Sequence, residues 1–114
     1  MGACCIMPML RFKGIEVTKI CKISKELIDE LQELIQRPRD HFTIEVDQAV
    51  CIKDGEIVER APVVEVSWFD RAQEVQDKAA KIITKHINCI EYPNVDVIFF
   101  ALDKSRYYEN GQHF

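Results

Sequence analysis

The chain has 114 residues, of which 47% are apolar and 30% are charged, a size and composition typical of one globular domain with a moderate core. Its formal net charge is −4, and it contains neither a run of Lys and Arg nor basic segments interleaved with aromatic residues. These features argue against a nucleic acid or an anionic membrane surface as partner. Because no apolar stretch could cross a bilayer and no signal peptide is recognisable, we expect a cytoplasmic protein without a membrane partner.

The chain begins MGACCIMPMLRF and so contains a second Met, followed by proline, at Met7 and Pro8. Two interpretations stay open. Pro8 either starts an edge strand, where a missing N–H costs nothing, or is the first residue of the working protein once the preceding residues are removed. We therefore divide the chain into an N-terminal extension or tag at residues 1–7 and a single domain at residues 8–114.

The first half predicts a strand, a helix, a second strand and a hairpin. A short apolar strand covers residues 9–12, and a helix covers residues 16–36 because its apolar residues recur on one helical face, at Val17, Ile20, Ile23 or Ser24, Leu27, Leu31 and Leu34. Pro38 ends this helix. Residues 42–46 (FTIEV) alternate as in a half-buried strand, and Asp54-Gly55 predicts a hairpin turn.

The second half repeats the same series. It offers a strand at residues 63–69 (VVEVSWF), a helix at 71–88 and a strand at 97–102 (VIFFAL), and the inward positions of the helix are Val75, Ala79, Ile82, Ile83 and Ile87. A constant offset places residues of the first half on apolar residues of the second: Leu10 on Val66, Phe12 on Trp68, Leu27 on Ile83, Leu31 on Ile87 and Ile44 on Phe100. The chain therefore contains two copies of a β-α-β unit.

A β-α-β unit of this length forms a parallel strand pair with a right-handed crossover. Two such units predict an α+β fold in two layers, a four-stranded mixed sheet with both helices on one face. Alternation puts a mixed set on the other face: Met9, Arg11, Thr43, Glu45, Glu65, Ser67, Val97, Phe99 and Ala101. Sheets with parallel pairs are usually covered on both sides, so we expect another subunit to cover this face.

Three segments resemble a known family: MPMLRF at the first strand, WFDRAQEVQD at the second helix and YYENGQHF at the C-terminus. Together with the duplicated unit they are similar to the tautomerase superfamily, which includes 4-oxalocrotonate tautomerase and macrophage migration inhibitory factor. The likeness covers residues 7–114 and is closest to a branch of short, uncharacterised bacterial proteins. It implies a homotrimer whose sheets enclose a barrel, with a pocket near the start of each first strand.

The resemblance also implies a mechanism, in which the amine of an N-terminal proline moves a proton in a small keto or enol acid without cofactor or metal. A free α-amine titrates near 8, and desolvation lowers its pKa towards neutrality, where general-base catalysis works best. A proline nitrogen inside a chain is an amide and has no such basicity. Pro8 is therefore either the catalytic base of an isomerase or, with the extension in place, part of a non-catalytic oligomeric protein that serves binding or structure.

Substrates of the family usually carry carboxylates, so a pocket should offer cations. Arg37 is the first candidate, because Arg37-Pro38 resembles a Lys-Pro pair that lines the pocket of macrophage migration inhibitory factor; the alternatives are a solvated cation at the helix end and a role for Arg39 instead. Arg11 is either a second substrate-binding cation or part of an ion cluster with Glu45, which Glu65 could join.

Aromatic residues supply the remaining candidates. Tyr107 and Tyr108 could form pocket walls that contact the substrate, as could Trp68 and Phe69, although aromatic residues in strands more often belong to the core or an interface. Arg71, which opens the second helix, is a pocket candidate by pseudo-symmetry alone.

The cysteines and histidines form no recognisable site. Cys4, Cys5, Cys21, Cys51 and Cys89 contain no C-x-x-C pair, so we expect two thiols in the tail, apolar core fillers elsewhere, and neither a disulfide framework nor structural zinc. His41, His86 and His113 lie on different elements and support no metal site or catalytic triad.

Overall fold

The computed structural model describes residues 7–113, and the predicted extension therefore lies outside the described residues except for Met7. The chain forms two helices and eight strands within this range, in the order β1 (Met9–Lys13), α1 (Val17–Ile35), β2 (Thr43–Asp47), β3 (Cys51–Lys53), β4 (Glu56–Val58), β5 (Val63–Phe69), α2 (Gln73–Cys89), β6 (Asp96–Leu102), β7 (Tyr108–Glu109) and β8 (Gln112–His113). Two short 3-10 turns, Arg39–His41 and Lys104–Arg106, precede β2 and β7.

The main sheet has the order β2-β1-β5-β6. Strand β1 is parallel to β2, β5 is parallel to β6, and the two units meet through the antiparallel pair β1–β5. This arrangement confirms the predicted duplicated β-α-β fold. The predicted hairpin is β3–β4, whose turn residues Asp54 and Gly55 have positive φ angles of 49° and 81°. A second hairpin, β7–β8, turns at Asn110 and Gly111 and was not predicted.

Both helices pack on one face of the sheet. Helix α1 buries four residues of the stripe predicted from its periodicity, Ile20, Ile23, Leu27 and Leu31, and also buries Ile28 and Ile35, which were not predicted. The helix ends at Ile35, since Gln36 adopts a left-handed conformation with φ 61°. The core is completed by residues of the two central strands and of α2: Leu10, Phe12, Val64, Val66, Trp68, Ala79, Ile83 and Ile87.

The face assignment of β6 was wrong. Val97 and Phe99 were expected on the uncovered face, but both pack against the core, and the Phe99 ring lies 4.8 Å from that of Trp68. Leu10 pairs with Ile44 in the first unit, and its counterpart Val66 pairs with Phe99 in the second. Phe99 is therefore the counterpart of Ile44, whereas the constant offset aligned Ile44 with Phe100. The second unit is one residue shorter between helix and strand, and a one-residue shift moves every side chain of a strand to the other face. Ile98 and Phe100 are therefore the residues of β6 on the uncovered face.

The prediction of core cysteines was also wrong for the three that can be placed. Cys21 and Cys89 are exposed and Cys51 is half-buried, and all three are free thiols. Cys21 follows the buried Ile20, and the next inward position of α1 is Ile23. The helix period therefore turns Cys21 towards solvent. Cys4 and Cys5 lie outside the described residues.

Glu30 joins the two helices on their solvent side. Its carboxylate accepts a hydrogen bond from Lys85 Nζ at 2.6 Å and contacts the ring of His86. The hydrogen bond from Lys85, and after it that from His86, lowers the pKa of Glu30 below its ordinary value. A carboxylate with a lowered pKa in the folded state contributes stability above its unfolded-state pKa and loses it as the pH falls through the folded-state pKa.

We therefore expect Glu30→Gln to lower the free energy of unfolding at pH 7 by about 0.5–1 kcal/mol, the range of exposed ion pairs. The difference from the unsubstituted protein should vanish in acid, because both then carry a neutral side chain. Urea unfolding at pH 7 and pH 3 measures this. Glu26→Gln, on an exposed position of the same helix, is the control. An equal loss at both pH values would contradict the ion-pair account.

Gly14 lies where the loop after β1 passes the segment before β5. Its φ is +74°, and an added Cβ would meet the carbonyl oxygens of Arg60 and Ala61 at 2.7 and 2.8 Å. Gly55 has a similar φ of +81° but nothing within 4 Å. We expect Gly14→Ala to destabilise the fold by about 3 kcal/mol or more, and Gly55→Ala by only about 1–2 kcal/mol. Equal losses in denaturant unfolding would exclude the close packing at Gly14.

Candidate functional site

The strand directions bring four separate segments to one edge of the sheet. Because β1 is antiparallel to β5, the start of β1 lies beside the end of β5, and the parallel partners β2 and β6 extend the same edge. The edge is formed by Pro8 and by residues 37–42, 69–73 and 102–107. We call it the proline edge.

Pro8 is held at this edge as part of the sheet. Its side chain is less than 2% exposed. Its carbonyl oxygen accepts a hydrogen bond from the backbone N–H of Thr43 at 3.0 Å and so continues the β1–β2 ladder. The nitrogen of Pro8 is bonded to Met7 and has no N–H to donate. As an amide nitrogen it also has no basic lone pair, so a proton-transfer role requires cleavage of the Met7–Pro8 bond.

Arg37 and Arg39 both follow α1, but they differ in their partners. Arg39 donates to Asp29 Oδ1 at 2.5 Å and to the carbonyl oxygen of Lys25 at 3.2 Å, so its guanidinium is bound to the helix. Arg37 is exposed and forms no ion pair or hydrogen bond with any residue that the structure describes. Of the two, Arg37 is the one that keeps its guanidinium available for a ligand.

Arg71 is half-buried at the junction of β5 and α2. Its Nε is buried and has no hydrogen-bond acceptor within residues 7–113. The pKa of Arg71 is lowered by burial and by the positive charge of the neighbouring Arg37. The adjacent carboxylate of Asp70 accepts from the backbone N–H of Arg71 at 3.0 Å and forms no ion pair with its guanidinium. Sequence reasoning reached Arg71 only through pseudo-symmetry.

The aromatic candidates lie in three different environments. Tyr107 packs edge-on against Phe69 with ring centroids 5.4 Å apart, and Lys104 Nζ lies 5.6 Å from the Phe69 ring centre. Beside them is a cleft of about 560 Å³ lined by Phe69, Asp70 and residues 101–104. Tyr108 is 57% exposed and stacks on His113 in the β7–β8 hairpin. Trp68 is 1% exposed and belongs to the core.

Arg11 lies on the uncovered face, three residues along β1 from Pro8 and thus about 10 Å away. Its Nε is 3.3 Å from Glu45 and 3.8 Å from Asp47, and its Nη1 is 3.9 Å from Glu65. We call these four side chains the face cluster. They form an ion network, as one of the two interpretations of Arg11 predicts, and the structure does not bring Arg11 to the proline edge.

Exposed apolar residues lie on β6 and on the β3–β4 hairpin. Ile98 and Phe100 of β6 are 44% and 46% exposed. In the β3–β4 hairpin, Ile52 and Ile57 are 71% and 78% exposed. Ile98 is the strand partner of Glu65 in the face cluster, and exposed apolar side chains on a sheet face are typical of a surface that another protein covers.

The opposite edge of the sheet holds a second cleft of about 430 Å³. Carboxylates line it at Glu16, Asp47 and Glu59, beside Arg60, so its charge disfavours an anionic ligand. Within residues 7–113, no group of three or more His, Cys, Asp or Glu side chains is placed to hold a metal ion. The helices in that range are also too short or too polar to traverse a bilayer.

Comparison with known proteins identifies relatives. The family model of a domain of unknown function (DUF1904) matches residues 7–113. The crystal structure of a DUF1904 domain from Sebaldella termitidis is 35% identical, with a TM-score of 0.86, and the alignment covers 95% of this chain and 100% of that one. A search of curated proteins found no match.

Two more distant structures share the fold. A fused 4-OT, described as a wild-type asymmetric trimer, is 14% identical with a TM-score of 0.76, over 93% of this chain and 95% of that one. A macrophage migration inhibitory factor-like protein from Entamoeba histolytica is 18% identical with a TM-score of 0.70, over 95% and 99% of the two chains. At these identities the likeness establishes the tautomerase fold alone.

Arg11→Ala tests the role of the face cluster. The substitution leaves Glu45, Asp47 and Glu65 without their shared guanidinium, and like charges that face each other across strands are destabilising. If further copies cover this face, as the sequence leads us to expect, the assembly should dissociate at a protein concentration at least about ten times higher than for the unsubstituted protein, while ligand affinity at the proline edge should be unchanged. Sedimentation velocity and ligand titration measure the two effects. Lys78→Ala, on an exposed position of α2, is the control. Lost ligand binding in an intact oligomer would instead make Arg11 a substrate-binding residue.

Proposed function

We infer the function of this protein from the premise that the chain belongs to the DUF1904 family and has the tautomerase fold. We propose that the proline edge binds a small carboxylate-bearing molecule. In a chain that starts at Pro8, we propose that the protein is a keto–enol isomerase with Pro8 as the catalytic base and no cofactor. This assignment also takes residues 1–7 as an extension and residues 8–114 as the working domain.

One observation carries the proposal: Pro8 immediately precedes β1 at the same edge as Arg37, whose guanidinium has no partner among the described residues. A guanidinium can bind a carboxylate through two parallel hydrogen bonds and so orient it. Tyr107 and Phe69 supply apolar surface beside this position. Such a combination of a base, an oriented carboxylate and partial exclusion of water is what proton transfer at a carbon requires.

The proton transfer itself is simple. With Met7 removed, the secondary amine of Pro8 first accepts the hydroxyl proton of an enol acid and becomes an ammonium group. The electrons of the substrate's C=C bond then take a proton from this ammonium group, and a C–H bond forms. The C=C bond is lost, a C=O bond forms, and the amine is regenerated. Burial of the Pro8 ring favours the neutral amine, so the base would operate near neutral pH.

The alternative is a binding or structural protein without catalysis. In the chain with residues 1–7 in place, the nitrogen of Pro8 is an amide, and its ring is less than 2% exposed. Arg37 remains available in that chain, so ligand binding does not depend on cleavage. The two functions therefore differ at a single covalent bond.

We also propose that the protein is a homotrimer. The exposed Ile98 and Phe100 and the face cluster give a surface that a second and third copy would cover. The fused 4-OT of the same fold is described as a trimer. We propose a cytoplasmic location, since the exposed free thiols of Cys21 and Cys89 suit a reducing compartment.

The intact mass of the protein, expressed without a tag from its own upstream DNA, tests the catalytic proposal. A mass that starts at Pro8 supports it, and a mass that retains residues 1–7 supports the alternative. For a protein that starts at Pro8, we expect turnover of small enol acids, with a base of near-neutral pKa in the pH–rate profile.

Two pairs of variants separate catalysis from folding. Pro8→Ala should lower kcat/KM about 100-fold or more, whereas Pro62→Ala should not, although Pro62 also starts a strand pair by accepting from Asp96 N at 3.2 Å. Arg37→Gln should raise KM about tenfold or more, whereas Arg39→Gln should change it little. Equal effects within either pair would contradict the assigned role.

A further inference from the structure

Arg71 has an unsatisfied donor that nothing in the described chain explains. Its Nε is buried without an acceptor, and no carboxylate forms an ion pair with its guanidinium within residues 7–113. A buried donor that lacks a partner destabilises a fold, and a second positive charge nearby adds repulsion. The second charge at this edge of the sheet is Arg37, which forms no ion pair with a described residue. Such an arrangement is costly unless an anion occupies the space between the two side chains.

Comparison with Arg60, a second half-buried arginine with a buried Nε, shows that burial of the donor alone does not indicate an anion site. Arg60, at the opposite edge, also has a buried Nε without an acceptor. However, its Nη1 donates to Cys51 Sγ at 3.6 Å, and Glu59, Asp47 and Glu16 line the same cleft. Negative charge is therefore already present in the cleft that Arg60 lines. Arg71 instead shares the proline edge with another cation, Arg37, and no described carboxylate forms an ion pair with it, so an external anion would supply the missing negative charge.

We propose that Arg71 is a second ligand-binding residue of the proline edge, and that Arg37 and Arg71 together bind one small dianion. This inference rests on the proposed ligand site and names the charge of its ligand. Two guanidinium groups that share one ligand favour two negative charges over one, because each charge-assisted hydrogen bond then has its own anionic acceptor. The site should discriminate by charge, and Arg71 is the residue that determines this specificity.

Malonate and acetate are the probes, because they differ by one carboxylate. Calorimetric titration of the full chain should give a lower Kd for malonate than for acetate, and a Kd that rises with salt. Arg71→Met keeps the length of the side chain and removes its donors and charge. We expect it to raise the Kd for malonate about tenfold or more and to reduce the preference over acetate. Arg71→Lys should recover part of this preference, since it keeps the charge.

Thermal unfolding without ligand separates a binding role from a structural one. Removal of an unsatisfied donor and of the repulsion from Arg37 should leave the Tm of Arg71→Met unchanged or raise it. Arg60→Met is the matched control, and it should leave the Kd for malonate within about twofold. A lower Tm or a dissociated oligomer, with an unchanged Kd, would overturn the proposal and make Arg71 structural.

The remaining outcomes distinguish this inference from the proposed function. If Arg37→Gln weakens malonate binding but Arg71→Met does not, the carboxylate site stands and the role of Arg71 is overturned. If malonate and acetate both fail to bind, or bind the Arg37 and Arg71 variants as tightly as the unsubstituted protein, the carboxylate site fails as well. Stronger binding of acetate than of malonate would overturn the proposal of a dianionic ligand but not that of a carboxylate site.

Discussion

The antiparallel pairing of β1 with β5 is the constraint on which the rest of the structure depends. Leu10 and Phe12 on one strand and Val64 and Val66 on the other are each at most 2% exposed. A shift of one residue in this pair would turn the apolar side chains of a strand away from the helices. Burial of the core therefore sets the register, and the register places Pro8 beside the end of β5. The proline edge is a consequence of core packing.

The same pairing explains why one protein surface carries both charge and apolar groups. The residues that alternate with the core positions point to the uncovered face, where Arg11 lies among Glu45, Asp47 and Glu65. A sheet that contains parallel pairs is rarely left uncovered on one side. If further copies cover this face, the proline edge of one subunit lies next to a subunit boundary, and assembly and ligand binding become properties of the same region.

Periodicity was sufficient to predict the fold, because buried residues repeat at intervals that the helix and strand geometry dictate. Strand β5 was predicted with its observed bounds. The inward stripe of α1 was correct apart from Val17, which is 44% exposed, and from Ile28 and Ile35, which are buried and were missed. The faces of β6 were missed because a constant offset cannot reveal a single missing residue between helix and strand. Cys21 was missed because cysteine type alone does not determine which side of a helix it occupies.

The site was less predictable than the fold. Arg37 was identified through a resemblance, whereas Arg71 was weighed only through pseudo-symmetry, since an unsatisfied Nε arises from non-local packing that no local pattern encodes. The central claim is that an anion binds between these two arginines. The most direct measurement follows the arginine Nε–Hε signals by NMR during addition of malonate. Shifts of the Arg37 and Arg71 signals, with that of Arg60 unchanged, are the predicted result; unchanged Arg37 and Arg71 signals would contradict the account.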